Sequence, residues 1–78
     1  MTMTPNAMLD AKGLSCPMPV VKARLEIEKL ASGEVLEVLA TDPGSVADFD
    51  NWTKMSGHDL LESNESDGVY TYLIRKGA

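Results

Sequence analysis

GEVLEVLATDPGSV, residues 33–46, holds the clearest strand signal of the chain and the turn that follows it. Its core, Val35 to Ala40, is aliphatic and rich in β-branched residues. Gly33 precedes it and Asp42-Pro43-Gly44 follows it, so turn signals bound it on both sides. This predicts a strand over Glu34–Thr41. The Asp42-Pro43-Gly44-Ser45 turn then caps a helix running from Ser45 to about Met55. Val46, Phe49 and Trp52 or Thr53 form its inner face, and Gly57 ends it.

Working towards the N-terminus, Ser32-Gly33 closes an earlier helix that begins at Pro17, a residue favoured at the first helical position because its missing N–H has no partner there. Val20, Ala23, Ile27, Leu30 and Ala31 recur at helical spacing and are predicted to face the core. Lys22, Glu26 and Lys29 lie opposite. Ala7–Ala11 alternates as a short strand, followed by a tight connection at Lys12-Gly13-Leu14-Ser15. Residues 1–6, MTMTPN, read as a loose tail, leaving 7–78 as one domain. Towards the C-terminus, His58–Ser63 is a third strand, Asp67-Gly68 a strong hairpin signal and Val69–Lys76 a fourth strand. Its tyrosines, 70 and 72, share one face, with Val69, Thr71 and Leu73 on the other. The order β-α-β-α-β-β predicts an α/β two-layer sandwich: a mixed four-stranded sheet with both helices on one face.

Composition narrows the function. The chain has 78 residues with twelve acids against seven bases, a net charge of −5. That balance argues against direct nucleic-acid binding, which needs a basic patch. One Cys and one His cannot build a four-ligand zinc site or an internal disulfide, so no metal is expected. A small domain without such staples reads as cytoplasmic. No stretch approaches a membrane span or a signal peptide.

The only cysteine, Cys16, stands in Cys16-Pro17-Met18-Pro19 at the entrance of the first helix. If Pro17 opens that helix, Cys16 is its N-cap. Its sulfur then faces the positive end of the helix dipole and the amides of Met18 and Val20, with Pro17 and Pro19 stiffening the backbone. Such a site is expected to lower the thiol pKa. A small buried apolar cysteine is the structural alternative. A dithiol redox cycle lacks a second cysteine, and cysteine hydrolysis has only His58 as base, with no orienting partner. One accessible thiolate can accept a group and hand it on, as a persulfide does with sulfur.

At this point the residues resemble a known family. LDAKGLSCPMPVVKAR, GEVLEVLATDPGSVADF, SGHDLLES and YLIRK are similar to the TusA-like sulfur-carrier proteins, whose hallmark is Cys-Pro-X-Pro. Here the hallmark is Cys16-Pro17-Met18-Pro19, preceded by Leu9-Asp10 and Gly13 and followed after the second strand by Asp42-Pro43. The resemblance covers about Met8 to Gly77. It implies a sandwich similar to the C-terminal domain of bacterial translation initiation factor three. It also implies a sulfurtransferase role in which Cys16 bears sulfane sulfur as a transient persulfide, with no other cofactor. The implied donor is a cysteine desulfurase or a rhodanese. The implied acceptor is a downstream relay protein in tRNA thiolation, molybdenum cofactor synthesis or sulfur oxidation.

Met18, Val21 and Leu25 form a second apolar line on the flank of the first helix, which reads either as peripheral core or as a partner-docking surface beside Cys16, with Arg24 and Asp42 as charged neighbours and Met55 on the same edge. Phe49 and Trp52 read as core, Arg75 and Lys76 as solvated charge. The chain is expected to act as a monomer without membrane contact. Two other readings stay open: a thiol redox sensor, and a non-catalytic interaction or regulatory module in which Cys16 only caps a helix.

Overall fold

The computed structural model describes residues 4–77. Its elements follow the order β1 (Ala7–Ala11), α1 (Met18–Ile27), β2 (Val35–Ala40), α2 (Ser45–Ser56), β3 (Asp59–Ser66) and β4 (Val69–Arg75). The strands form one sheet in the order β1-β2-β4-β3. β1 runs parallel to β2, whereas β4 is antiparallel to both β2 and β3. The mixed α/β sandwich read from the sequence is therefore the observed fold.

Side-chain alternation explains why the layers form. Leu36, Val38 and Ala40 of β2 and Tyr72 and Ile74 of β4 are fully buried, and Ala7, Leu9 and Ala11 of β1 pack on the same cluster. Two helical stripes cover them: Pro19, Ala23 and Ile27 on α1, and Ser45, Phe49 and Thr53 on α2, each at intervals of four. Phe49 lies stacked on Tyr72, ring centroids 4.4 Å apart. Burying each large apolar side chain here contributes roughly 1.5–3 kcal/mol. Tyr72 also brings a hydroxyl into the core, and it is satisfied by Ser45 Oγ at 2.6 Å.

Turn chemistry sets the register. Asp67 and Gly68 both have positive φ, 53° and 82°, as the tight β3–β4 hairpin requires. Gly57, in the left-handed conformation, closes α2 by donating its N–H to the Thr53 carbonyl.

Several boundaries differ from the sequence reading. α1 ends at Ile27 rather than running to Ser32, and Ala31 is exposed, so Pro19 takes the place that Ala31 was given in the core stripe. The Lys76 ammonium donates to the carbonyls of Leu30, at 2.6 Å, and Glu28, at 3.3 Å, in the turn that follows the helix. Lys76 is thus tied to that turn and is not a solvated charge. Val46 is exposed, because Ser45 and not Val46 turns inward at the start of α2. β3 starts at Asp59 and continues to Ser66, with a bulge between Leu60 and Glu62. Residues 1–3 of the expected tail lie outside the described residues, but Asn6 is tied down: it exchanges two hydrogen bonds of 2.8 Å with the backbone of Val35.

Candidate functional site around Cys16

β1 and β2 are parallel, so their carboxyl ends and the start of each following helix meet at one edge of the sheet. Open α/β sheets place ligand and reaction sites at such an edge. The β1–α1 loop is fixed there from three sides. Asp10 Oδ1 accepts from the Lys12 N–H at 3.0 Å, and Gly13, at φ +84°, donates its N–H to Thr41 Oγ1 at 2.9 Å. Cys16 donates its N–H to Asp42 Oδ2, also at 2.9 Å. The residues singled out as Asp10, Gly13 and Asp42 thus hold the cysteine loop against the end of β2.

Cys16 itself is exposed and unpaired with any other cysteine. The structure shifts the helix start: Pro17 is the N-cap and Met18 the first helical residue, so Cys16 stands one residue outside the cap. Its relation to the first-turn amides changes accordingly. Met18 N–H donates to the Ser15 carbonyl at 2.9 Å, and the amides of Val20 and Val21 donate to the Pro17 carbonyl, each at 3.1 Å. Pro19 has no amide to give. The sulfur receives none of the helix donors expected for it.

Its neighbours are carboxylates instead. The Cys16 thiol donates a hydrogen bond to Asp48 Oδ2 in the first turn of α2. Asp48's hold on the proton, with the negative charges of Asp48 and Asp42, pushes the Cys16 pKa up to about 11. The expected lowering of that pKa is reversed: the first-turn amides donate to backbone carbonyls rather than to the sulfur, and two acids face it. Gly44 stands close by: a Cβ there would lie 3.5 Å from Cys16 Cβ and 3.7 Å from Sγ. Asp48 was missed by sequence reasoning. The Ser45-x-x-Asp48 spacing was a signal, though it reads as a helix-start pattern rather than as a thiol partner.

The proposed partner surface divides. Met18, Val21 and Leu25 are exposed along α1, leading away from Cys16, and Arg24 is exposed among them. Met55, 88% exposed, stands ten residues into α2, roughly 15 Å from the helix end that faces the thiol. The structure does not bring it to Cys16. Phe49 is core, Trp52 is half-buried with its ring edge-on to Phe49, and His58 packs on Trp52. His58 Nδ1 accepts the Gly77 N–H at 3.0 Å, so the only histidine ties down the chain after β4 rather than serving the thiol. Among the described residues no cluster of His, Cys, Asp and Glu is placed to hold a metal ion, and no helix is long and apolar enough to cross a membrane.

A two-layer α/β domain presenting one exposed thiol at the carboxyl edge of its parallel strands defines a small single-thiol α/β protein. The comparisons with known proteins make the assignment specific: the chain belongs to the sulfurtransferase TusA family, whose model matches residues 7–76. It is 50% identical over 68 residues to the sulfur carrier protein TusA of Allochromatium vinosum, covering 87% of this chain and 90% of that one. The sulfur carrier protein TusA of Pseudomonas putida strain W619 is 45% identical over 75 residues, 96% of this chain and 94% of that one. Among solved structures, the SirA-like protein of Desulfitobacterium hafniense superposes with a TM-score of 0.80 at 30% identity, covering 92% of this chain and 99% of that chain.

Proposed function

We propose that the protein carries sulfane sulfur as a persulfide on Cys16 and passes it to a partner protein. The observation that carries this reading is the one exposed thiol, anchored through its own amide to Asp42, in a chain that belongs to a sulfur-carrier family. In loading, the Cys16 thiol loses its proton to water and its thiolate sulfur attacks the outer sulfur of a donor persulfide. A new S–S bond forms at Cys16, the donor's S–S bond breaks, and the electron pair leaves with the donor's cysteine as thiolate. In unloading, an acceptor thiolate attacks the outer sulfur and Cys16 departs as thiolate, regaining a proton. No net oxidation occurs.

The fitting donor is a cysteine desulfurase or a rhodanese, and the acceptor another relay protein serving tRNA thiolation, molybdenum cofactor synthesis or sulfur oxidation. The net charge of −5 favours relay by protein contact in the cytoplasm over direct RNA contact. Met18, Val21, Arg24 and Leu25 are the surface offered beside the thiol. A redox sensor is told apart by its chemistry: it would give an oxidised dimer under peroxide and show no preference for sulfane sulfur. The test is transfer of label: a cysteine desulfurase supplied with radiolabelled cysteine should label the wild-type chain, the label should leave with a thiol reductant, and Cys16→Ser should take none. Equal labelling of Cys16→Ser overturns the reading.

A further inference from the structure

Asp48 takes no part in the transfer, yet its carboxylate is what the sulfur touches. The contact is built rather than incidental. Asp48 is half-buried in the first turn of α2, where its N–H donates to the Gly44 carbonyl at 3.3 Å. From the same loop Asp42 holds the Cys16 amide, and Gly44 brings its backbone against the cysteine side chain. The charged groups acting on the thiol are Asp48 from α2 and Asp42 from the loop before it. Among the described residues the ion pairs are Lys29–Glu26, Lys54–Asp50 and Arg75–Asp59, so neither carboxylate beside the thiol is matched by a cation of this chain.

We propose that Asp48 is a specificity-determining latch: it holds the Cys16 proton in the free carrier against small sulfane-sulfur compounds, and a docked donor protein releases it by offering a cationic side chain to Asp48. The partner chemistry follows from the unmatched acids and the net charge of −5. The release half rests on the carrier reading. The latch half does not.

The size of the effect can be worked out. With the thiol at about 11, about one molecule in ten thousand is thiolate at pH 7; at its ordinary 9.0 it is about one in a hundred. The thiolate gain is at most roughly 100-fold, since Asp42 stays beside the sulfur when Asp48 is removed. Intrinsic nucleophilicity falls with pKa at a slope of about 0.4–0.5, which returns about a factor of six to ten and leaves a net gain of at most roughly 10–15-fold.

The test uses the full chain as wild type, Asp48→Asn, Asp48→Ala and Asp48→Glu, each checked for folding by circular dichroism. Iodoacetamide alkylation is followed by intact mass across pH. The expected result at pH 7 is a rate higher by up to roughly 10–15-fold in Asp48→Asn, with the midpoint of the pH profile moved down and Asp48→Glu returned towards wild type. Asp48→Ala serves if the Asn variant folds poorly. Rates and midpoints equal to wild type overturn the latch.

The second arm compares loading by inorganic polysulfide with loading by a cysteine desulfurase and cysteine. In the polysulfide reaction the Cys16 thiolate bonds to the terminal sulfur, and the shortened chain leaves with the electron pair. The ratio of desulfurase to polysulfide loading should fall by up to roughly 10–15-fold in Asp48→Asn. An unchanged ratio overturns the specificity role. Wild type that takes sulfur from neither source overturns the carrier reading, while the alkylation result still decides the latch.

Discussion

The buried hydroxyl pair of Ser45 and Tyr72 holds the first turn of α2, and hence Asp48, against β4. Both side chains are buried, 1% and 0% exposed, and their oxygens are 2.6 Å apart. Burial raises the Tyr72 pKa, so the phenol stays neutral through the physiological range and the pair is an ordinary hydroxyl–hydroxyl bond. Tyr72→Phe keeps the ring stacked on Phe49 but strands the Ser45 hydroxyl; Ser45→Ala strands the phenol. Each should cost about 1–3 kcal/mol, the desolvation of one unpaired polar group. For a domain of this size each kcal/mol lowers Tm by about 4–8 °C. The double variant has no stranded group, so it should cost about as much as one single variant and less than their sum. Urea unfolding of the four proteins at pH 7 with a common m-value reads this directly. Single-variant costs that add to the double within about 0.5 kcal/mol would refute the pairing.

Four further outcomes follow from the packing and the site. Phe49→Ala, at a fully buried ring, should cost about 3–5 kcal/mol, a large part of a domain's usual stability, and chemical unfolding should show a far lower midpoint. Asp42→Ala removes the acceptor of the Cys16 amide; hydrogen exchange there should rise about fivefold, the worth of ~1 kcal/mol, and Asp42→Asn should restore much of the protection. His58 has its pKa lowered, first by burial and then by Lys76, so its neutral form belongs to the fold. Its stabilising share is present above the unfolded value near ~6.5 and is lost as pH falls through the lower folded value; His58→Gln should flatten stability over that window in urea titrations. Arg75→Ala breaks a half-exposed pair with Asp59 at 2.8 Å and should cost under about 1 kcal/mol, less at high salt in the same melts.

The parts of the fold written in local patterns were legible. The VLEVLA strand sits between turn signals, Asp67-Gly68 makes a two-residue hairpin, and β4 alternates tyrosines against Val69, Thr71 and Leu73. All three depend on near neighbours in the chain. The single thiol at a helix entrance was also legible from Cys16-Pro17-Met18-Pro19. What the sequence hid was decided across the chain. The carboxylate on the sulfur comes from 32 positions away, and the ammonium that ties the turn after α1 comes from Lys76, 46 positions beyond Leu30. The thiol's pKa was misjudged for the same reason. Local reasoning saw a helix dipole and two free amides, whereas Ser15 and Pro17 take those amides and α2 supplies an acid. Ser45 rather than Val46 faces inward because a buried phenol, 27 positions along, needs its hydroxyl.

Transferable sulfur on Cys16 is read from intact mass. The reduced protein is incubated with a cysteine desulfurase and cysteine, beside a Cys16→Ala control, and weighed before and after a thiol reductant. The wild type alone should gain about 32 Da, one sulfur atom, and lose it to the reductant. A folded wild-type chain whose thiol alkylates yet gains no mass, or a control that gains as much, would contradict sulfur carriage by Cys16.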